Sequence, residues 1–99
     1  MEIDNQFKII LYSLFITSKG APTRVKIISK LLKNPSSIRE LANFCELDYN
    51  AINHHIKIML QNNVIKQHGD RYGKIFYVSE LFEANISQFN KIVKHKKIA

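Results

Sequence analysis

Apolar residues recur along this chain at helical spacing four times, switch to alternate positions once, and return to helical spacing at the end. Ile3, Phe7, Ile10, Leu11, Leu14 and Phe15 follow the i, i+3, i+4 rule, which predicts a first helix closed by Lys19 and Gly20. Pro22 suits the first turn of a second helix, with Val25, Ile28, Leu31 and Leu32 on its buried face and Asn34-Pro35 as its stop. Ser36 or Ser37 caps a third helix, and Glu40, three residues beyond Ser37, completes a capping box ahead of the inward-facing Ile38, Leu41 and Ala42. A tight connection, Glu46-Leu47-Asp48, leads to a fourth helix from Tyr49 to Gln61, capped by Asp48 and buried through Ile52, Ile56, Met59 and Leu60. Asn62 and Asn63 close it, because asparagine tolerates the left-handed conformation found past a helix end. Two short β-rich runs, 64–68 and 74–78, are then bridged by a loop holding Gly69 and Gly73, which predicts a hairpin. Ser79 caps a last helix in which Phe82, Ile86, Phe89 and Val93 repeat, before the basic end Lys94, His95, Lys96, Lys97.

This order predicts a mainly α fold with a β-hairpin wing: a winged helix-turn-helix carrying an extra helix at each end. No repeat or low-complexity linker divides the chain. We therefore expect one domain over residues 1–99: an N-terminal helix over 1–18, a winged-helix core over 22–79 and a C-terminal helix over 80–97.

Composition narrows the partners. A hydrophobic fraction of 45% with 23% charged residues suits a folded chain of 99 residues. A net charge of +7 attracts a polyanion, leaving DNA, RNA and an anionic membrane open. The apolar run 9–16 is far short of the roughly 20 residues that span a bilayer, and Glu2 and Asp4 are the wrong charge for a signal peptide. With Cys45 the single cysteine, no intramolecular disulfide forms, and a cytoplasmic setting is expected.

Placed at 100° intervals, the fourth helix sets Asn50, Asn53, His54, Lys57 and Gln61 opposite its apolar side, with Tyr49 on the boundary. Amides match the edge of adenine, an imidazole donates to guanine or phosphate, and an ammonium supplies charge. Taken alone, such a face is an ordinary solvated surface; as the second helix of a helix-turn-helix followed by a basic hairpin, it reads as a double-stranded DNA contact. Arg71 and Lys74 at the hairpin tip are the candidate wing contacts, although hairpin tips also carry charge for solubility. Thr23, Arg24, Ser37 and Arg39, at or near helix N-termini, are candidate phosphate contacts, with Arg24 and Lys26 equally able to pair with Glu40 or Glu46.

The terminal helices carry wide apolar stripes. Phe7, Leu11 and Leu14 at one end and Phe82, Ile86, Phe89 and Val93 at the other are expected to bury against a second copy, with folding back onto the same chain as the alternative for the first helix. His54 and His55 diverge by 100° on one helix and cannot share an ion, so no metal or other cofactor is expected. No catalytic arrangement or glycine-rich phosphate loop stands out, so no enzymatic activity is expected.

Three stretches give the chain a family resemblance: 21–28 (Ala-Pro-Thr-Arg-Val-Lys-Ile-Ile); Ile38-Arg39-Glu40-Leu41-Ala42 with Leu47-Asp48-Tyr49; and His54-His55-Ile56-Lys57-Ile58-Met59 running into Asn62-Asn63-Val64-Ile65. From about Gly20 to Glu83 the chain resembles ArsR-type winged-helix regulators, particularly small archaeal ones. That resemblance implies a homodimeric transcription regulator binding a partly palindromic promoter site. Glu46 and Asn63 stand where the family usually has glycine, and the family's paired cysteines and C-terminal metal-ligand sets are missing. The rival expectation is a winged-helix protein-protein module, which would expose an apolar patch on the fourth helix. RNA binding finds no paired aromatic platform on the hairpin, where Tyr72, Phe76 and Tyr77 suit wing and core packing.

Overall fold

The computed structural model describes residues 5–98, so Glu2, Ile3 and Asp4 lie outside the described residues, as do the side chains of His95, Lys96 and Lys97. The first helix, α1 (Asn5–Tyr12), runs into a π turn (Ser13–Thr17). There the Ser18 N–H reaches back five residues to the Ser13 carbonyl at 3.2 Å, leaving its usual α-helical acceptor, the Leu14 carbonyl, to another donor. Helix α2 (Ala21–Lys33) has proline in its first turn and ends at Asn34. Its buried face is Arg24, Ile27, Ile28 and Leu31. This corrects the expected face: Val25 is only half-buried and Leu32 is 41% exposed, the stripe having turned to bring Arg24 and Ile27 inward.

Helix α3 (Ile38–Cys45) starts on the expected capping box. Ser37 Oγ accepts from the Glu40 N–H at 3.1 Å, and Glu40 Oε1 accepts from the Ser37 N–H at 2.8 Å. Ser36 has a different task. It forms an isolated antiparallel bridge with Phe76, each N–H donating to the other's carbonyl at 3.0 and 2.8 Å, which fastens the entrance of α3 to the wing.

Glu46 takes the left-handed conformation, φ 58°, at the sharp turn into α4 (Tyr49–Gln61). A residue with a Cβ pays roughly 1 kcal/mol for that conformation. In return the Leu47 N–H bonds the Ala42 carbonyl at 3.1 Å, closing the end of α3, and Asp48 Oδ1 accepts from the Ala51 N–H at 2.8 Å, opening α4. Asn63 is also left-handed, φ 60°, so Glu46 and Asn63 both hold the conformation that glycine adopts most readily.

Strands β1 (Ile65–His68) and β2 (Ile75–Val78) pair antiparallel, Ile65 opposite Val78 and His68 opposite Ile75. Gly69, at φ 104°, permits the return: a Cβ there would lie 2.1 Å from the Gly73 carbonyl oxygen. Asp70 Oδ1 holds the loop by accepting from the Tyr72 N–H at 2.9 Å.

The single last helix expected from the sequence is two, α5 (Glu80–Ala84) and α6 (Ile86–Ile98), broken at Asn85. The break lets Phe15 of the π turn, Phe82 of α5 and Phe89 of α6 pack edge to face, with centroids 5.1 to 6.4 Å apart. It also moves the buried row of α6 to Phe89 and Ile92, leaving Ile86 and Val93 half-buried at the margin. Phe7, Leu11, Leu14, Phe82 and Phe89 are thus buried in the chain's own core, and the expectation that they face a second copy is corrected. The aromatic triad packs the π turn against α5 and α6 within one chain.

Candidate nucleic-acid interface

The polar face of α4 is presented as its spacing requires. Ile52, Ile56 and Met59 are buried, whereas Tyr49, Asn50, His54, Lys57 and Gln61 are exposed and Asn53 is half-buried. Beside the start of that helix lies an open groove of about 460 Å³, lined by Ser37, Ile38 and Arg39 of the α3 entrance, Tyr49 of α4, and Arg71, Tyr72, Gly73, Lys74 and Phe76 of the hairpin. The α3 entrance and the hairpin, more than thirty positions apart in sequence, therefore share one surface with the start of α4. None of the lining residues is acidic, and three are cations. Arg71 lies 5.4 Å from the centre of the Tyr72 ring, a cation–π contact that keeps its guanidinium on the wing. The Ser36–Phe76 bridge sets the groove's width, because it ties the backbone of one wall to that of the other.

Of the weaker candidates, Ser37 and Arg39 join this groove, Thr23 does not line it, and Arg24 is corrected outright. Arg24 is 4% exposed and points inward. Its Nε–H donates to the Leu14 carbonyl at 2.9 Å, its Nη1–H donates to His55 Nδ1 at 3.0 Å, and its Nη2 bonds the Ser18 hydroxyl. The π turn explains the first bond, since it leaves the Leu14 carbonyl to the guanidinium. Burial lowers Arg24 from the usual arginine value, yet a guanidinium stays charged in proteins and only donates. His55 Nδ1 must accept, so the ring carries its proton on Nε2. Burial first, then the charges of Arg24 and His54, hold the His55 imidazole below its ordinary value.

The link was missed in the sequence, although a signal was present. Arg24 precedes Ile27, Ile28 and Leu31 by three, four and seven residues, the spacing of an inward position. Cys45 sits where a core residue was expected: it is buried, and burial raises its thiol above the ordinary value against the opposing charge of Lys26. A thiol so placed is a packing residue. Among the described residues, no group of three or more His, Cys, Asp or Glu gathers as a metal site, and no helix is long and apolar enough to cross a membrane.

The sequence over residues 21–67 matches the family described as bacterial regulatory protein, arsR family. Over that segment the chain is similar to the ArsR family. Its matched segment runs from the start of α2 into β1, so it contains the helix-turn-helix and one groove wall. No curated protein matches the sequence. Solved structures share the fold of this chain. HlyU from Vibrio cholerae superposes with a TM-score of 0.69 at 20% identity, over 93% of this chain and 97% of that one. The homodimeric winged helix-turn-helix DNA-binding domain of Mb0332 from Mycobacterium bovis gives 0.70 at 6% identity, over 94% and 83%. The heme sensor PefR, solved with heme and carbon monoxide, gives 0.68 at 14% identity, over 91% and 66%.

Proposed function

We propose that this chain is an ArsR-type regulator that binds double-stranded DNA sequence-specifically as a homodimer, with α4 in the major groove and the wing on the adjoining backbone or minor groove. The observation that carries the reading is the acid-free groove joining Arg39, Tyr49, Arg71 and Lys74 beside the polar face of α4. Phosphates tracked along that groove fix the register, and Asn50, Asn53, His54, Lys57 and Gln61 then meet base edges. The amide, imidazole and ammonium character of the α4 face favours DNA over a protein partner, which would need an apolar patch there.

With its core aromatics spent internally, a partner copy has the outer side of α1 to cover, where Ile9 is 69% and Tyr12 46% exposed, together with the half-buried Ile86 and Val93 of α6. The homodimeric state of the Mb0332 domain supports this reading. Two copies joined there present two α4 helices to a partly palindromic site, one helical turn of DNA apart, about 34 Å.

The test is selection of bound fragments from the source organism's DNA, followed by titration of the recovered site. Changing Asn50, Asn53, His54 and Lys57 together to Ala is expected to abolish specific binding while leaving the melting temperature nearly unchanged, since these side chains are exposed or half-buried. Native affinity in that variant would sink the groove assignment. Wild-type affinity is expected to fall steeply with salt as counterions are released from neutralised phosphates, and a flat salt response would remove DNA as the partner.

A further inference from the structure

His54 and His55 are neighbours in sequence with opposite surroundings. The His54 ring is exposed on the DNA face, while the His55 ring is half-buried against the start of α2. There it receives the Arg24 Nη1–H at 3.0 Å, and its other edge approaches Gly20 so closely that a Cβ on that glycine would lie 2.6 Å from His55 Cε1 and 2.8 Å from Arg24 Nη1. Arg24 simultaneously holds the Leu14 carbonyl and the Ser18 hydroxyl. A single buried guanidinium therefore connects the π turn, the loop before α2 and the recognition helix, and its bond to α4 depends on a ring nitrogen having a free lone pair.

We infer that the Arg24–His55 contact is a proton-sensitive tie that sets the position of α4 against the N-terminal segment, and that protonation of His55 releases the tie and weakens DNA binding. The inference rests on the DNA-binding reading above and adds its regulation. A proton from solvent occupies the Nδ1 lone pair, so Nδ1–H then faces a guanidinium that can only donate. Two cations are left facing each other in a partly dry site. Among the described residues, the charged and titratable groups bearing on the ring are Arg24 from α2 and His54 from α4 itself, and both disfavour the imidazolium. Gly20 and Arg24 fill the space beside the ring, so the charged ring relieves the conflict by moving outward.

The sign follows from the depressed imidazole. The unfolded chain takes up this proton at a higher pH than the folded one, so the tie's stabilisation is complete above the ordinary histidine value and fades as pH falls from there toward the lowered folded-state value. His54 is exposed on the proposed DNA face itself, so the test is run in a His54→Gln background that leaves His55 as the histidine of the pair.

In that background, at fixed salt, affinity for the selected DNA site is expected to fall about tenfold between about pH 7.5 and about pH 5. His55→Asn places an oxygen acceptor near the Nδ1 position and does not titrate; it is expected to bind normally at neutral pH and to lose the acid-side fall. An unchanged or rising affinity in the His54→Gln protein, or an equal fall once His55→Asn is added to it, would overturn the inference. Nuclear magnetic resonance of the free protein decides the tie without DNA. At neutral pH the His55 ring is expected as the Nε2–H form, and its protonation should shift the amide signals of Leu14, Ser18 and the middle of α4 together. A ring that protonates with no response at Leu14 and Ser18 would show that there is no tie. Failure to recover any DNA site would count against the function alone, because the ring titration stands apart from it.

Discussion

The starts of α2 and α3 hold similar ingredients and use them in opposite ways. Each has an arginine in its first turns, a hydroxyl residue close by and free N–H groups at its end, and each was a candidate anchor for a phosphate. At α3, Ser37 and Glu40 satisfy the helix end and Arg39 stands in solvent at the edge of the groove. At α2, no side chain caps the helix, and Arg24 is drawn beneath it to bond Leu14, Ser18 and His55. Register makes the difference. Arg24 lies in line with Ile27, Ile28 and Leu31, whereas Arg39 follows Ile38 and falls outside the row of Ile38, Leu41 and Cys45. An arginine near a helix N-terminus is thus left free to meet an anion only when the apolar stripe beyond it faces elsewhere.

The largest expected effect breaks this comparison on one side. Arg24→Met keeps the aliphatic stem but leaves the Leu14 carbonyl and His55 Nδ1 without their buried donor, and is expected to cost about 3 kcal/mol in denaturant unfolding. Arg39→Ala should change stability by less than about 0.5 kcal/mol, and instead lower the slope of log affinity against log salt by about one. Equal stability losses in the two variants would erase the distinction between the two helix starts.

A smaller effect tests the α3 side. Ser37→Ala removes the acceptor for the Glu40 N–H and one half of the capping box, with an expected cost of about 1 kcal/mol. Because α3 forms a wall of the basic groove, DNA affinity should drop along with stability. A loss of stability with unaltered DNA binding would separate the groove wall from the interface.

Helix existence, the two serine caps, the Asp48 cap and the wing were legible because each depends on residues within a few positions of one another: Ser37 with Glu40, Asp48 with Ala51, Gly69 with Gly73. What escaped depends on distance. The break at Asn85 follows from Phe89 having to meet Phe15 across the whole chain, and no local pattern records that demand. The same triad explains why apolar stripes at the two ends looked like a dimer face: a stripe shows that something covers it and says nothing of which copy supplies the cover. The groove was half-legible, its cations being visible as hairpin and helix-start charges, while their convergence depends on the Ser36–Phe76 bridge.

The smallest expected effect lies at the turn between the two helices that flank the groove. Glu46 holds φ 58° at a cost, and no side-chain hydrogen bond of its own offsets it in the turn; the bonds that close α3 run through backbone groups, the Glu46 N–H to the Asn43 carbonyl at 3.3 Å and the Leu47 N–H to the Ala42 carbonyl. Glu46→Gly keeps those bonds and removes the Cβ penalty, although it adds freedom to the unfolded chain. The two terms oppose, and the left-handed penalty of about 1 kcal/mol is the larger, so a net gain of about 0.5 kcal/mol is expected in urea unfolding. The variant also removes one negative charge from the helix-turn-helix, so DNA affinity at low salt should rise slightly while the recognised sequence stays the same. A changed sequence preference would mean that Glu46 aims α4, and that the turn, rather than the tie at Arg24, sets the helix's approach to DNA.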